Sequence, residues 1–207
     1  MQVEIIAATQ NPVDVISIAA GVCYGKDDVS PKRVRHCFKA GHMSVFEHAS
    51  ATFKVSGISR ACMAQLTRHR LASFCVESQR YCRYDLNGGE WYVVPPEFEE
   101  QGFVGDHTKE SWFRKMMYED AARYMRALEE GVKPEDARFL LPEAAKTRMV
   151  VTMNARELFH VADMRESRSA QWEVRGLVGQ MLDALREESP QWAELVDMQR
   201  GGCDAGA

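Results

Sequence analysis

The chain has 207 residues, of which 45% are hydrophobic and 27% are charged, and its formal net charge is −4 at pH 7. This length and composition fit one soluble domain with a substantial apolar core. The mildly acidic balance argues against a general nucleic-acid-binding protein, which is usually basic. No stretch approaches the roughly 20 apolar residues that span a bilayer, so a membrane protein is disfavoured as well.

The first residues and the cysteines favour a cytoplasmic location. No basic segment followed by a long apolar run opens the chain, so the sequence predicts no signal peptide. The six cysteines contain no CxxC pair and are expected to be reduced thiols. We expect a single domain over residues 1–200, and the small, polar residues 201–207 are expected to form a disordered tail.

Strands and helices alternate in the first half of the chain. Apolar patterning predicts strands over residues 3–8 and 49–55, the second ending at a Ser56-Gly57 turn. It predicts a helix over residues 12–24, and a second that starts at Pro31 with the Ser30 hydroxyl as its cap. A third helix is predicted from Ile58 onward.

Two polar side chains interrupt the apolar stripe of this third helix. Gln65 and His69 fall in the middle of the stripe when residues are placed at helical spacing. Buried polar groups need hydrogen-bond partners. This segment is therefore the first one that the sequence predicts to face a ligand.

The second half is predicted to contain strands over residues 91–94 and 146–153, with an acidic surface loop over residues 97–107. Helices are predicted over residues 108–130, 134–140 and 170–187, the last of these being the final element. Another helix begins at Asn154, and Glu157 three residues later completes a capping box. The alternation of strands and helices predicts a mixed α and β domain.

The densest polar run of the chain is Arg68-His69-Arg70, followed after seven residues by Ser78-Gln79-Arg80. So many guanidinium groups in a short segment favour an anionic ligand, and phosphate is the obvious candidate. We expect a bend between the two clusters and a pocket that both of them face. A simpler interpretation is that Arg68-His69-Arg70 closes a helix, where cations are favoured by the helix dipole.

Other polar groups allow both a structural and a functional interpretation. His42, Glu47 and His48 could bind a metal, but His-x5-His is not a zinc-protease spacing, and we predict no metal site. Asn154 could serve only as a helix cap. Arg165 could pair with nearby carboxylates, and Arg138 is similarly ambiguous. No dinucleotide-binding GxGxxG, P-loop or GxSxG motif is present.

Five ordered motifs resemble those of the flavin-dependent thymidylate synthases. The first is Arg68-His69-Arg70 with Ser78, which matches the family's RHRx7S signature. The other four are Gly41-His42-Met43-Ser44-Val45-Phe46-Glu47-His48, Ala137-Arg138 with Leu141-Pro142, Asn154-Ala155-Arg156-Glu157-Leu158, and Arg165 with Ala170-Gln171-Trp172-Glu173. The likeness covers most of the chain.

This resemblance implies an α+β fold with a central, mostly antiparallel sheet flanked by helices, and one catalytic domain. It implies a homotetramer whose active sites are shared between subunits, with FAD as cofactor and no role for nucleic acid. The implied reaction converts dUMP to dTMP, with methylenetetrahydrofolate as carbon donor and NADPH as the reductant of the flavin. No enzyme nucleophile takes part, which agrees with the absence of a His base beside Ser78. The alternatives are a flavin-free nucleotide-binding protein on the same scaffold and a metal-dependent hydrolase.

The resemblance also implies roles for individual residues. Arg165 matches the catalytic arginine that polarises the uracil. The residues implied to bind FAD are Ser44, Arg68, His69, Arg70, Val76, Asn154, Ala155, Arg156 and His160. Those implied to bind dUMP are Gln65, Leu66, Thr67, Arg68, Glu77, Ser78, Gln79, Arg80, Arg138 and Arg165. The chain departs from the family at Cys75-Val76, where many members carry Asn-Glu, so contacts from Val76 are expected through its backbone.

Overall fold

The computed structural model describes residues 1–84, 86 and 91–203, with side chains for all of these except residues 202 and 203. Its strands are β1 Gln2–Ala8, β2 Ser50–Ser59, β3 Ser73–Val76, β4 Phe103–Val104, β5 His107–Thr108 and β6 Lys146–Asn154. Its α-helices are α1 Pro12–Val22, α2 Pro31–Lys39, α3 Arg60–Leu66, α4 Pro96–Glu99, α5 Lys109–Glu129, α6 Pro134–Ala137, α7 Ala155–Arg165, α8 Trp172–Glu188 and α9 Pro190–Cys203. Two short 3₁₀ helices span Met43–His48 and Arg138–Leu140.

A four-stranded sheet with the order β1-β2-β6-β3 is the main sheet of the fold. Strands β4 and β5 form a separate antiparallel hairpin, in which Phe103 is opposite Thr108 and Val104 is opposite His107. The predicted α+β class with an antiparallel sheet and flanking helices is confirmed. No helix in the described part of the chain is long and apolar enough to cross a membrane.

Two compact units divide the chain, and each is discontinuous in sequence. Unit 1 contains residues 1–55, 65–75 and 149–203, and unit 2 contains residues 56–64 and the described part of 76–148. The expectation of one catalytic domain over residues 1–200 stays a prediction. The predicted tail begins inside helix α9, which extends to Cys203, and its residues 204–207 lie outside the described residues.

Helix α8 supplies the largest apolar face of unit 1. Its buried side chains recur at helical spacing and are Val174, Leu177, Val178, Met181, Leu182 and Leu185. This face packs against α7, α9 and β1. The prediction that α8 is the final element is wrong, because α9 follows it and buries Trp192, Leu195 and Val196. Ser189-Pro190 marks both the end of one helix and the start of the next, since proline is tolerated in a first helical turn.

The core of unit 2 is aromatic and lies along one side of α5. Trp91, Tyr92, Phe113 and Met117 are its large buried members. Thr108 caps α5 as its position indicates, accepting a hydrogen bond from the Ser111 amide at 3.2 Å. The predicted strand over residues 91–94 is wrong, because the chain forms an isolated bridge there, between Tyr92 and Ala145.

Three further local predictions are wrong. Strand β2 continues through Ser56-Gly57, and Gly57 takes a φ of 72°, a left-handed conformation typical of a bulge rather than a chain reversal. The Ser30 side chain does not cap α2; the Ser30 amide instead donates a hydrogen bond to the Ser17 hydroxyl oxygen at 2.7 Å. Residues 97–107, predicted as a loop, contain most of α4 and the β4–β5 hairpin, which Gly105 turns with a φ of 57°.

Candidate active site

A cavity of about 730 Å³ lies in unit 1. One wall is helix α7, through Arg156, Glu157, Phe159, His160, Asp163, Met164 and Arg165. A second part of the lining is the segment that follows α3, through Arg68, His69, Arg70 and Leu71, and Met43 completes it. Four arginines therefore surround a single space, which suits an anionic ligand.

The start of α7 is fixed by its cap. The Asn154 carboxamide oxygen accepts a hydrogen bond from the Glu157 amide at 2.8 Å, as the capping-box pattern predicts. Leu158, Val161 and Ala162 are buried on the core side of the helix. The helical period then turns Arg156 and His160 together toward the cavity. Sequence reasoning found these two residues but missed Glu157, Asp163 and Met164, which the same spacing could have suggested.

The triplet Arg68-His69-Arg70 is not the end of a helix. Helix α3 ends at Leu66, and the three residues lie in the turn that follows. All three residues line the cavity, but His69 is buried at 5% exposure, whereas both arginines are exposed. The guanidinium charges therefore remain available for a ligand, while most of the imidazole is shielded from solvent.

Arg165 is held by the two polar residues that interrupt the predicted apolar stripe. Its Nε donates to His69 Nε2 at 3.0 Å. Its Nη1 donates to Gln65 Oε1 at 3.3 Å, and its Nη2 donates to the Gln65 carbonyl at 3.2 Å. The prediction that Gln65 and His69 need hydrogen-bond partners is confirmed. Arg165 is a partner of both residues, and it also lines the cavity.

The carboxylates near Arg165 bond to the C-terminal helix. Glu166 accepts from Arg200 at 3.0 Å, and Asp163 accepts from Gln199 at 3.0 Å. Helix α9 thus fixes the end of α7 that carries Arg165.

Burial controls the ionisation of the groups behind the cavity. Desolvation lowers the pKa of His69, and the neighbouring charges of Arg165, His160 and Arg68 lower it further. The imidazole is consequently neutral near pH 7. Desolvation also raises the pKa of Glu157, against the opposite effect of His160 and Arg156. Glu157 Oε1 lies 3.7 Å from His69 Nδ1.

The 3₁₀ segment Met43–His48 is tied to α7 by an ion pair. Glu47 Oε1 accepts from Arg156 at 2.6 Å, and Phe46 packs against Phe159 with ring centroids 5.7 Å apart. Ser44 is exposed and is not part of the cavity lining. Among the described residues, no group of three or more His, Cys, Asp or Glu is arranged to hold a metal ion.

Unit 2 carries a second basic cluster, built on residues 78–80 and Arg138. Arg80 Nε lies 2.7 Å from Glu135 Oε2, and Arg138 Nε donates to the Glu135 carbonyl at 2.9 Å, so both arginines gather at Glu135. Ser78 Oγ accepts from the Arg80 amide at 3.2 Å, and Gln79 bonds Tyr84 at 3.4 Å.

The remaining predicted site residues differ in how much they expose. Leu66 and Ala155 are buried in unit 1, so each can offer a ligand only backbone groups, while Thr67 is half-buried. Val76 and Glu77 belong to unit 2, where Glu77 Oε1 bonds Arg148 at 2.9 Å. Because the structure divides the Arg68 and Ser78 clusters between two units, a pocket common to both stays a prediction.

Comparison with known proteins identifies this arrangement. The family model described as thymidylate synthase complementing protein matches residues 4–191. The flavin-dependent thymidylate synthase of Haloarcula marismortui is 35% identical over 98% of this chain and 97% of its own length. That of Geobacter sulfurreducens is 36% identical over 92% of this chain and 84% of its own.

A solved structure shares the fold over nearly all of its length. Thymidylate synthase X from Helicobacter pylori, solved with FAD and dUMP, aligns with a TM-score of 0.74 and 26% identity, covering 96% of this chain and 98% of that one. Fold and sequence together define an enzyme of the transferase class. The chain belongs to the thymidylate synthase complementing family, that is, to the flavin-dependent thymidylate synthases. The predicted family is confirmed.

Proposed function

We propose that this chain converts dUMP to dTMP by reductive methylation, with FAD as its flavin, methylenetetrahydrofolate as carbon donor and NADPH as reductant. The observation that carries the proposal is the Arg165 guanidinium, fixed by His69 and Gln65 at the wall of an arginine-lined cavity. Relatives that cover nearly the whole chain are flavin-dependent thymidylate synthases, which supports the same activity.

The residues around the cavity fit the anionic part of a flavin dinucleotide. Arg68 and Arg70 line it, and within the described part of the chain neither forms an ion pair with a carboxylate. A diphosphate is the kind of group that two free guanidinium groups bind well. Arg68, Arg70, Arg156 and His160 would hold the cofactor, with Asn154, Ala155, Ser44, His69 and Val76 as the further expected contacts. When bound, FAD supplies the hydride chemistry that side chains cannot provide.

Arg165 is the residue to which we assign the activation of dUMP. Carbon 5 of uracil becomes nucleophilic only as negative charge develops on the pyrimidine ring. A positioned guanidinium stabilises such charge without reorganising in the transition state. Three hydrogen bonds to His69 and Gln65 supply that positioning. No side chain needs to attack the substrate.

The second basic cluster is the proposed anchor of the nucleotide. Arg80 and Arg138, with the donors of Ser78 and Gln79, suit the phosphate of dUMP. Arg80 forms an ion pair with Glu135, so a bound phosphate must share the Arg80 guanidinium with this carboxylate. Binding through fixed donors orients the ring before reaction. Gln65, Leu66, Thr67, Arg68 and Glu77 complete the proposed substrate contacts.

We further propose a homotetramer with shared active sites and a cytoplasmic location. The family resemblance supports the assembly. What supports the location is that the five cysteines whose side chains are described are free thiols, and free thiols are typical of a reducing compartment.

The test is an assay of dTMP formation by the purified protein with FAD, dUMP, methylenetetrahydrofolate and NADPH. We expect a yellow protein that makes dTMP only when all four are present. A colourless protein that binds dUMP but not FAD would support the flavin-free alternative. Bound zinc, together with a hydrolytic activity that a chelator abolishes, would support the metal-dependent hydrolase that uses His42, Glu47 and His48. Protein that binds FAD and makes no dTMP contradicts the proposal.

A further inference from the structure

We infer that Glu157 is a positioning residue that holds His69 in the tautomer required by Arg165. The inference deepens the proposed function, since it concerns how the substrate-activating guanidinium is oriented. From the sequence Glu157 is known only as the third residue of a capping box, a motif in which the glutamate side chain would accept from the Asn154 amide. In the structure the Glu157 amide donates to Asn154 Oδ1 at 2.8 Å, while its carboxylate lies beside His69 and has to be explained separately.

The tautomer of His69 follows from the hydrogen-bonding capacity of arginine. A guanidinium has only hydrogen-bond donors. The His69 nitrogen that accepts the 3.0 Å hydrogen bond from Arg165 Nε must therefore carry a lone pair. That nitrogen is Nε2. Since burial and neighbouring cations lower the pKa of His69, the ring holds one proton, and this proton resides on Nδ1.

Nδ1 is the ring atom that faces Glu157. The Glu157 Oε1 atom lies 3.7 Å from it, and both side chains are only 4% exposed. This separation is longer than a hydrogen bond, so the contact is electrostatic. A carboxylate beside Nδ1 favours a proton there and disfavours a lone pair. The acceptor at Nε2 is thereby maintained for Arg165.

A buried carboxylate is costly, which argues that Glu157 is kept for more than packing. Placing an ionised carboxyl in the interior without a compensating partner costs free energy, and burial raises the pKa of Glu157 accordingly. Arg165, His160 and Arg68 also act on His69, and each of them lowers the His69 pKa. Glu157 supplies a carboxylate beside the same ring. Glu157 lies beside His69, His69 accepts from Arg165, and Arg165 also donates to Gln65. These contacts connect a buried carboxylate to the guanidinium at the cavity wall.

Nitrogen-15 NMR of histidine-labelled protein tests this inference without any requirement for activity. The His69 signals are assigned as those lost in a His69→Gln variant. In the wild type at pH 7 we expect a neutral His69 with its proton on Nδ1. A neutral ring protonated at Nε2, or a charged ring, overturns the inference. Because this readout needs no substrate, its failure is distinguishable from failure of dTMP synthesis.

Variants of Glu157 separate positioning from packing. In Glu157→Gln we expect a lower His69 pKa, a smaller share of the Nδ1–H tautomer, and a loss of about tenfold in kcat/KM for dUMP from a misplaced guanidinium. Glu157→Asp keeps the charge and is expected to keep the tautomer. Glu173→Gln is the matched control, because Glu173 is also a buried glutamate in the first turn of a helix of unit 1. Glu173→Gln should leave the His69 signals unchanged. His69 signals that do not move in Glu157→Gln refute the assignment.

Discussion

Arg165 donates a hydrogen bond from Nε to His69 Nε2 at 3.0 Å, although the two residues are 96 positions apart in the chain. The contact joins the end of α7 to the turn after α3 at the wall of the cavity. It requires a neutral imidazole, because a protonated ring offers Arg165 no acceptor. We therefore expect protonation of His69 to remove one of the contacts that orient the Arg165 guanidinium.

Acid is expected to destabilise the protein through His69. Its pKa is lowered from the ordinary value of 6.5, so the unfolded chain binds a proton more readily than the folded one. The stabilising contribution is fully present above pH 6.5 and is lost as pH falls below it toward the folded-state pKa. Thermal unfolding of wild type and His69→Gln between pH 7.5 and 5.5 (values from about one unit on each side of an ordinary histidine pKa) measures the effect. The melting temperature of the wild type should fall more steeply.

Glu157 contributes a term of opposite sign in the same measurement. Burial raises its pKa above 4.5, so its contribution to stability is lost as pH rises. Glu157→Gln should remove this loss, and the acid-side destabilisation should then be more pronounced than in the wild type.

For the His69 prediction, identical pH slopes in the wild type and His69→Gln would show that His69 does not couple protonation to folding.

Arg80 is predicted to bind dUMP rather than FAD. Arg80→Ala removes a charge-assisted contact to phosphate, worth about 1.5 to 3 kcal/mol, so dUMP affinity should fall by roughly 10-fold to 150-fold. FAD affinity should change by less than about twofold. Isothermal titration of each ligand gives both values.

Arg123→Ala is the matched control for Arg80→Ala. Both arginines lie in unit 2, form exposed ion pairs, and have similarly exposed side chains, 59% for Arg123 and 57% for Arg80. The control should leave both affinities intact. Equal losses of dUMP and FAD in Arg80→Ala would contradict the assignment of Arg80 to the nucleotide.

Helix α9 is expected to be essential to the stability of unit 1. Trp192 is 1% exposed, and its indole N–H donates to the Thr9 carbonyl at 3.1 Å. Trp192→Ala should lower the free energy of unfolding by about 3 to 5 kcal/mol through the cavity it leaves. Trp192→Phe keeps most of the apolar volume and should cost less. Urea unfolding of both variants measures the difference, and a loss under about 1 kcal/mol in the alanine variant would show that α9 is dispensable.

Asn154 combines a structural and a proposed cofactor role, and two variants separate them. Asn154→Ala removes the cap on Glu157 and should cost about 1 kcal/mol of stability. Asn154→Ser replaces one good cap by another, so stability should be retained. If Asn154 also contacts FAD, both variants bind FAD more weakly, and fluorescence titration of the flavin measures this. Full FAD affinity in Asn154→Ser would restrict Asn154 to capping.

Local patterns predicted the long elements and failed where backbone geometry or distant contacts decide. The helical period of α8 and the Asn154 cap of α7 are encoded within a few neighbouring residues, and the structure has them as predicted. The sequence cannot distinguish a turn at Ser56-Gly57 from a bulge within a strand, because the positive φ that glycine allows serves both. Helix α9 was missed because its buried residues Trp192, Leu195 and Val196 are few and follow a proline.

The site was predictable in composition and not in geometry. The motifs indicated which arginines and histidines belong to the site. The arginine clusters also indicated an anionic ligand, because guanidinium groups need anionic partners. The hydrogen bonds of Arg165 to Gln65 and His69 span about a hundred residues and depend on tertiary packing. Glu157 carried no signal beyond its place in a capping box. Its contact with His69 is visible only in the folded chain.

The most direct measurement is the turnover number for dTMP formation by the wild type, Arg165→Ala and Arg186→Ala under saturating FAD, methylenetetrahydrofolate, NADPH and dUMP. Arg186 is the control, an exposed arginine of unit 1 whose ion pair with Asp197 lies on α8 and α9. If Arg165 activates the uracil ring, its loss should lower kcat by about 100-fold or more, while Arg186→Ala keeps wild-type turnover. A folded, FAD-bound Arg165→Ala protein with wild-type kcat would contradict the account.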